Sequence, residues 1–330
     1  VIVASASRTF AAALESGRFD GTLSHAASRA WGAIASRHVV RRVAVPRDVR
    51  VITIGGATLG GSGKTPVAIA WTRREAEKSV HVALIGHAYR ARPKSARVVS
   101  ETDRVEEVGD EALLCARALG GIADVVVAPS RQGAIDFAVA RGARVLVIDG
   151  VAQIAPRRAD VAVLVSNSND ANACPPAGDL RAPLAALRAL TDVVVRISED
   201  DDFQNVESGE ISARVIDSGA RAANGEIVSF EVLSKMRVGL GLSIAHPERV
   251  LCRLARRGVV PVARACLGDH AGADLRRTMA RIGLRDRAID AWLITEKCAS
   301  FVRPTSHDTP PIYVVGHELE LRAAEWPHDP

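Results

Sequence analysis

Val51-Ile52-Thr53-Ile54-Gly55-Gly56-Ala57-Thr58-Leu59-Gly60-Gly61-Ser62-Gly63-Lys64-Thr65-Pro66 reads as a buried strand, a glycine-rich turn and the first turn of a helix. Consecutive glycines let backbone N–H groups close around phosphate oxygens, an approach that any Cβ would obstruct. The helix that follows adds unpaired N–H groups and partial positive charge at its N-terminus. In such a loop Lys64 reaches the β- and γ-phosphates and the Thr65 hydroxyl ligates Mg²⁺. Pro66 suits a first helical turn, where its missing N–H costs nothing. The segment is therefore expected to bind nucleotide phosphate through Thr58, Gly60, Gly61, Ser62, Gly63, Lys64 and Thr65. Thr58 replaces the first glycine of the general pattern. A glycine-rich hairpin with an accidental lysine is the alternative, and the order strand, loop, helix argues against it. Only 5 of the 43 basic residues are Lys, and one stands where a phosphate loop requires it.

At 330 residues the chain has material for one large or two ordinary domains. Its 48% apolar and 25% charged residues are those of a globular enzyme rather than a disordered or fibrous chain. The net charge of +5 comes from arginines spread along the sequence, and no basic run is interleaved with the few aromatics, so nucleic acid is not an expected partner. Five scattered cysteines, odd in number and without C-x-x-C spacing, argue against a disulfide framework or structural zinc and for a reducing compartment. No apolar run is long enough for a spanning helix. Between Phe10 and Val40, Leu14, Leu23, Ala27, Ala30, Trp31 and Ile34 recur near helical spacing among arginines. Such a basic amphipathic helix either lies in a membrane interface or packs on its own domain.

Beyond the loop, apolar strands (His81–Ile85, Val125–Val127, Val145–Asp149, Val161–Val165, Val193–Ile197) alternate with helices (Asp110–Leu119, Arg131–Arg141). Continuous Val/Ile runs indicate strands covered on both faces, hence a parallel sheet. A polar stretch after Ser198 marks a boundary, and a second alternating series follows. Its strands are expected at Val238–Ala245, Val259–Ala265, Ala291–Thr295 and Pro311–Val315, and its helices at Pro247–Arg257 and Ala273–Ile282. The expected architecture is α/β: a P-loop NTPase-like parallel-sheet domain over residues 1–197, a two-stranded linker over 198–235, and a smaller α/β domain over 236–330.

The strand Val145–Asp149 ends in a carboxylate, the usual place for the acidic partner of Mg²⁺ beside a phosphate loop. Asp110 opens a helix, where it serves either as a cap or as a base. His270 follows Asp269 at a strand end, and Tyr89 and Arg90 follow another.

Together these segments resemble the tetraacyldisaccharide 4′-kinase family. The resemblance rests on the loop Thr58–Pro66, on Gly109-Asp110-Glu111, Pro176-Ala177-Gly178-Asp179-Leu180-Arg181 and His246-Pro247-Glu248-Arg249, and on Asp269-His270 and Thr295-Glu296-Lys297. It covers roughly residues 25–300. It implies transfer of the γ-phosphate of ATP, with Mg²⁺, to the 4′-hydroxyl of an acylated glucosamine disaccharide 1-phosphate. The site implied is the cytoplasmic face of the bacterial inner membrane, with a peripherally bound monomer. By position, Asp110 matches the family's hydroxyl-activating carboxylate and His270 the histidine that supports it. Lys64 completes the catalytic set, Thr65 and Asp149 hold the metal, and Tyr89 and Arg181 line the substrate site. Two acids of the family pattern are replaced, by Ile148 and Ala182. That departure keeps open a degenerate relative that binds nucleotide or glycolipid without transfer. An unrelated P-loop NTPase acting as a switch is a third possibility.

Overall fold

The structure, a computed structural model, describes residues 21–78, 81–86, 88, 91–167, 173–198, 203, 209–216, 219–269, 271–285 and 288–327. The chain divides into two units. One runs to Arg214 and takes back the chain from Leu319, and the other is Val215–Glu318.

The larger unit begins with helix α1 (Thr22–Ser36), strand β1 (Val40–Arg42), strand β2 (Arg50–Gly56) and helix α2 (Lys64–Ala76). Next come β3 (Val82–Ile85), β4 (Arg97–Val98), α3 (Val105–Val108), α4 (Asp110–Leu119), β5 (Asp124–Val127) and α5 (Arg131–Ala140). After these follow β6 (Val145–Asp149), β7 (Gln153–Ala155), β8 (Val161–Asn167), α6 (Leu184–Leu190), β9 (Val193–Ser198) and β10 (Glu210–Ile216). The smaller unit contains β11 (Ala220–Arg221), β12 (Ile227–Val228), α7 (Phe230–Leu233), β13 (Val238–Ser243), α8 (Pro247–Arg256), β14 (Ala263–Leu267), α9 (Leu275–Arg285), β15 (Ala291–Thr295), α10 (Glu296–Ala299) and β16 (Ile312–Val315), before β17 (Glu318–Ala323).

Among the described residues, the large sheet has the order β17-β10-β9-β8-β2-β6-β3-β5-β4. From β10 to β5 every neighbouring pair is parallel, and β4 closes the edge antiparallel to β5. The pattern explains the topology: strands such as Val145–Asp149 are buried throughout, as a sheet covered on both faces requires. One core face joins Val51, Ile85, Val126, Ile135, Leu146 and Ile148. β2 lies between β6 and β8, so the phosphate loop leaves from the middle of the sheet, at the carboxyl edge where parallel sheets bind ligands.

The smaller sheet has the order β12-β11-β16-β15-β13-β14, with β13 parallel to β14 and β15 and β15 parallel to β16. Successive residues of β15 serve opposite faces, Leu293 packing with Leu240, Leu254 and Val315, and Trp292 and Ile294 with Met279 and Ile312.

Several boundaries move relative to the sequence reading. β10 pairs with β9 in register Glu210↔Val194 and β17 joins its other side. Residues expected in a linker and in the smaller domain are thus strands of the larger sheet. The strand expected from Val259 begins at Ala263, because Pro261 cannot donate to a ladder and Val260 and Val262 face solvent. Of the five cysteines, Cys115, Cys174 and Cys298 are buried and Cys252 is exposed.

The described part of the N-terminal helical pattern is α1, and it docks through its small residues. The Ser28 hydroxyl donates to the Cys174 carbonyl at 2.7 Å, and Gly32 packs so closely on Pro183 that a Cβ would lie 2.9 Å from its Cγ. The bulky apolar residues Leu23, Trp31 and Ile34 are left exposed. No helix among the described residues is long and apolar enough to cross a membrane.

Candidate active site

The phosphate loop is shaped by two glycines. A Cβ on Gly56 would collide with the Ser62 side chain, and Gly63, at φ +82°, would drive one into Ile197. Gly63 caps α2 in the left-handed region that favours glycine, and its carbonyl accepts the Val67 N–H at 3.2 Å. The helix then buries Val67, Ala68, Ile69, Trp71 and Thr72, which fixes its N-terminus against the sheet. At the other end of the loop the Thr58 hydroxyl donates to the Gly60 carbonyl at 2.8 Å. Thr58 therefore closes the turn from within, something glycine lacks a group to do. The segment Asp179–Arg181 pins the same end: Leu59 N–H donates to the Asp179 carbonyl at 2.9 Å and Arg181 N–H to the Ala57 carbonyl at 2.8 Å.

Asp149 ends β6 level with Ile54 of β2. The Thr65 hydroxyl donates to its Oδ2 at 3.0 Å, while Oδ1 is enclosed with no hydrogen-bond partner. Burial holds this carboxyl above the ordinary aspartate range; Lys64 opposes the shift, Glu111 reinforces it, and Thr65 and Arg131 oppose it. A buried carboxylate oxygen without a partner is costly in a finished fold, and a hard cation is the partner it fits. Among the described residues no group of three or more His, Cys, Asp or Glu could hold a metal. One hydroxyl and one carboxylate are a donor set that would fit Mg²⁺, an ion held by few protein oxygens together with substrate phosphates.

Two neighbours of Asp149 were not singled out by the sequence. Arg131 Nη1 donates to the Asp149 backbone carbonyl at 2.7 Å, and Glu111 is close enough for its charge to act on both Asp149 and the buried Cys115 thiol. The helix-opening pair Asp110-Glu111 was the available signal for Glu111. Arg131, the first residue of a helix, carried none.

Asp110 is buried at the first position of α4, after Gly109, and its Oδ1 accepts the Glu111 N–H at 3.0 Å. That is a helix-start contact, made with one carboxylate oxygen. Arg181 is partly buried with its Nε enclosed and without a partner. Burial and repulsion from Arg41 weaken its hold on the proton, and Asp149 offsets this. The structure thus groups Lys64, Thr65, Asp149, Arg181 and the loop at one end of the large sheet. His270, Tyr89 and Arg90 lie outside the described residues. Beside His270, Lys297 Nζ donates to Asp269 Oδ1 at 2.7 Å within the smaller unit.

A family model described as tetraacyldisaccharide-1-P 4′-kinase matches residues 21–328. Relatives called tetraacyldisaccharide 4′-kinase include one from Xanthobacter autotrophicus, 33% identical over 68% of this chain and 65% of its own length. Another, from Neisseria meningitidis, is 28% identical over 83% of this chain and 78% of its own. The stretch matched in the Xanthobacter relative is therefore just under two thirds of that protein. A crystal structure of LpxK from Aquifex aeolicus in complex with ATP superposes with a TM-score of 0.65 at 19% identity, covering 90% of this chain and 95% of that one. The fold is that of a P-loop kinase. Because the family match runs through the phosphate loop and on through the whole of the smaller unit, the chain belongs to the tetraacyldisaccharide-1-P 4′-kinase family.

Proposed function

We propose that the chain transfers the γ-phosphate of ATP to the 4′-hydroxyl of an acylated glucosamine disaccharide 1-phosphate. The observation that carries this reading is the Lys64-Thr65-Asp149 arrangement, a phosphate loop facing a buried carboxylate with one oxygen left for a cation. Backbone amides of residues 58–65 wrap the triphosphate, Lys64 draws charge from its terminal oxygens, and Thr65 and Asp149 hold Mg²⁺. When bound, such an ion would supply charge neutralisation for the transfer. Asp110 takes the proton of the acceptor hydroxyl, and His270 supports it. Tyr89 and Arg181 contact the acceptor. Glu111 adds a second negative charge close enough to act on Asp149.

Attachment to the cytoplasmic face of the inner membrane is peripheral in this proposal. Leu23, Trp31 and Ile34 project from α1 alongside Arg29 and Arg37, a combination that seats a helix in an anionic interface. The monomer expected from the resemblance is retained.

One observation favours a rival, the non-catalytic relative: Ile148 and Ala182 are fully buried in apolar clusters, so neither position retains an acid. Incubation of the purified protein with γ-labelled ATP, Mg²⁺ and the acylated disaccharide 1-phosphate separates the two. Label appearing in the glycolipid supports the kinase. Nucleotide binding that is indifferent to Mg²⁺, with no labelled lipid, supports the rival.

A further inference from the structure

Helix α2 carries Lys64 and Thr65 as its first two residues, so its seat on the sheet sets where both side chains meet a bound triphosphate. Less than two turns further on, Trp71 is fully buried, and its Nε1 is enclosed with no hydrogen-bond partner among the described residues. Packing therefore orients this indole. Its aromatic partner comes from the chain that follows β17. Trp326 meets Trp71 edge to face, with ring centroids 5.4 Å apart and planes at 77°. The Arg74 guanidinium lies over the Trp326 ring, 3.7 Å from its centroid.

Both contacts have a preferred geometry. Aromatic pairs favour the edge-to-face arrangement at this separation, and a guanidinium is drawn to the negative face of an indole. Trp71 and Arg74 stand at i and i+3 of α2, so they share one side of the helix and grip Trp326 together. β17 is the strand at one edge of the large sheet, whereas α2 follows β2 in its middle, so the contact ties edge to centre. Beside it, Arg73 Nη2 donates to the Ala118 carbonyl at 2.6 Å, which braces α2 against α4. The helix is thus held from two directions. Its first turn has little tolerance for drift. The Thr65 hydroxyl reaches Asp149 Oδ2 at 3.0 Å, and a shift of about 0.5 Å takes that contact to the limit of a hydrogen bond. Trp71 lies only about 9 Å from Thr65 along the helix axis, so a loosened indole is felt at the loop.

We propose that Trp326 is a positioning residue for nucleotide binding: gripped by Trp71 and Arg74, it seats α2 so that Lys64 and the Thr65 hydroxyl are poised for the triphosphate. The inference rests on the nucleotide reading of the phosphate loop and adds to it a residue that acts only through α2.

Equilibrium titration of the full chain with a non-hydrolysable ATP analogue and Mg²⁺ tests this, alongside denaturant melts and amide exchange read by mass spectrometry. Trp326→Ala should weaken analogue binding about three- to tenfold, the range set by losing an aromatic pair and a cation–π contact. Exchange should quicken over α2 and stay native over α5 of the same unit. Trp326→Phe keeps a ring for both contacts and should bind within about twofold of the native chain. Should Trp326→Ala not fold, Trp326→Leu keeps an apolar cover on Trp71 without an aromatic face and carries the same expectation. A Trp326→Ala chain that melts earlier yet binds the analogue as the native chain does overturns the inference, since the residue then serves stability alone. So does exchange that quickens equally in α2 and α5. A native chain that binds no analogue removes the nucleotide reading and the inference with it. Native binding beside unchanged binding by the variants removes the inference alone.

Discussion

The Thr65 hydroxyl donates to Asp149 Oδ2 at 3.0 Å, while Asp149 Oδ1 is enclosed beside it with no partner. Helix α2 and strand β6 thus bring the Thr65 hydroxyl and a strand-end carboxylate to one point from positions far apart in sequence, and in the proposed reading the unpartnered oxygen is where a cation would complete the set.

Asp110 accepts the Glu111 N–H at the start of α4, and in the proposed mechanism it also takes a proton from the acceptor. Replacing it with Ala should lower kcat by about 10²–10⁴-fold, the usual contribution of a positioned base, and leave ATP binding nearly unchanged. Steady-state kinetics with an independent nucleotide titration checks this. A variant with full rate would reduce Asp110 to its contact with Glu111.

Glu111 acts electrostatically on Asp149. Glu111→Gln should raise the Mg²⁺ concentration needed for half-maximal rate several-fold and leave metal-free nucleotide binding unchanged or slightly stronger, because one negative charge near the triphosphate is gone. A metal titration of initial rates measures it. An unchanged Mg²⁺ requirement would place Glu111 outside the cation's acidic shell.

Ile148 is fully buried among Ile85, Val126, Ile135 and Leu146. The family pattern suggests that an acid there would aid metal binding, but the packing says otherwise for this chain. Ile148→Asp should cost about 3 kcal/mol or more, since it buries a carboxylate among hydrocarbon and removes core volume. Ala182→Glu should behave similarly, because Ala182 is enclosed by Ala57, Leu164 and Leu187. Denaturant melts give the stability difference. A stable, more active Ile148→Asp protein would show that the strand end can turn outward.

His317 provides a pH-dependent prediction in the smaller unit. Arg253 Nη1 lies 2.8 Å from its Nδ1, so the guanidinium donates and the ring is neutral with its proton on Nε2. Burial, Arg253 and Arg249 push its pKa down to about 3. A depressed folded pKa means that the unfolded chain binds the proton first. The stabilisation is therefore complete above the ordinary histidine value near 6.5 and is lost as pH falls from there toward 3. The slope is at most about 1.4 kcal/mol per pH unit. His317→Asn keeps an acceptor for Arg253 and should remove this component, so the two proteins' stability curves should converge in acid. Parallel curves between pH 6.5 and 4 would contradict it.

Much of the fold was legible because its signals are local. The buried runs Val145–Asp149 and Ala291–Thr295 and the helix Asp110–Leu119 occupy the residues that periodicity assigns them. What escaped depends on partners distant in sequence. β10 is a strand because β9 and β17 flank it, and nothing in its own composition overrides the polar residues before it. The outward display of Trp31 and Ile34 follows from which face of α1 meets Cys174 and Pro183, and helical spacing alone leaves that open. At the site, the loop's own spacing singles out Lys64 and Thr65 and a strand end singles out Asp149, and the structure brings the Thr65 hydroxyl to that carboxylate. Arg131, Glu111 and Arg41 were not legible, since each reaches the site through tertiary packing rather than through a motif.

In the proposed mechanism the amides of residues 58–65, Lys64 and a cation held by Thr65 and Asp149 grip a nucleoside triphosphate. Titrating a non-hydrolysable ATP analogue into the native protein and into Lys64→Ala, each with and without Mg²⁺, tests it most directly. The native protein should bind in a Mg²⁺-dependent manner, and Lys64→Ala should bind at least about tenfold more weakly, as expected for a lost charge-assisted contact. Binding of equal strength in the two proteins, or none in the native one, would contradict the account.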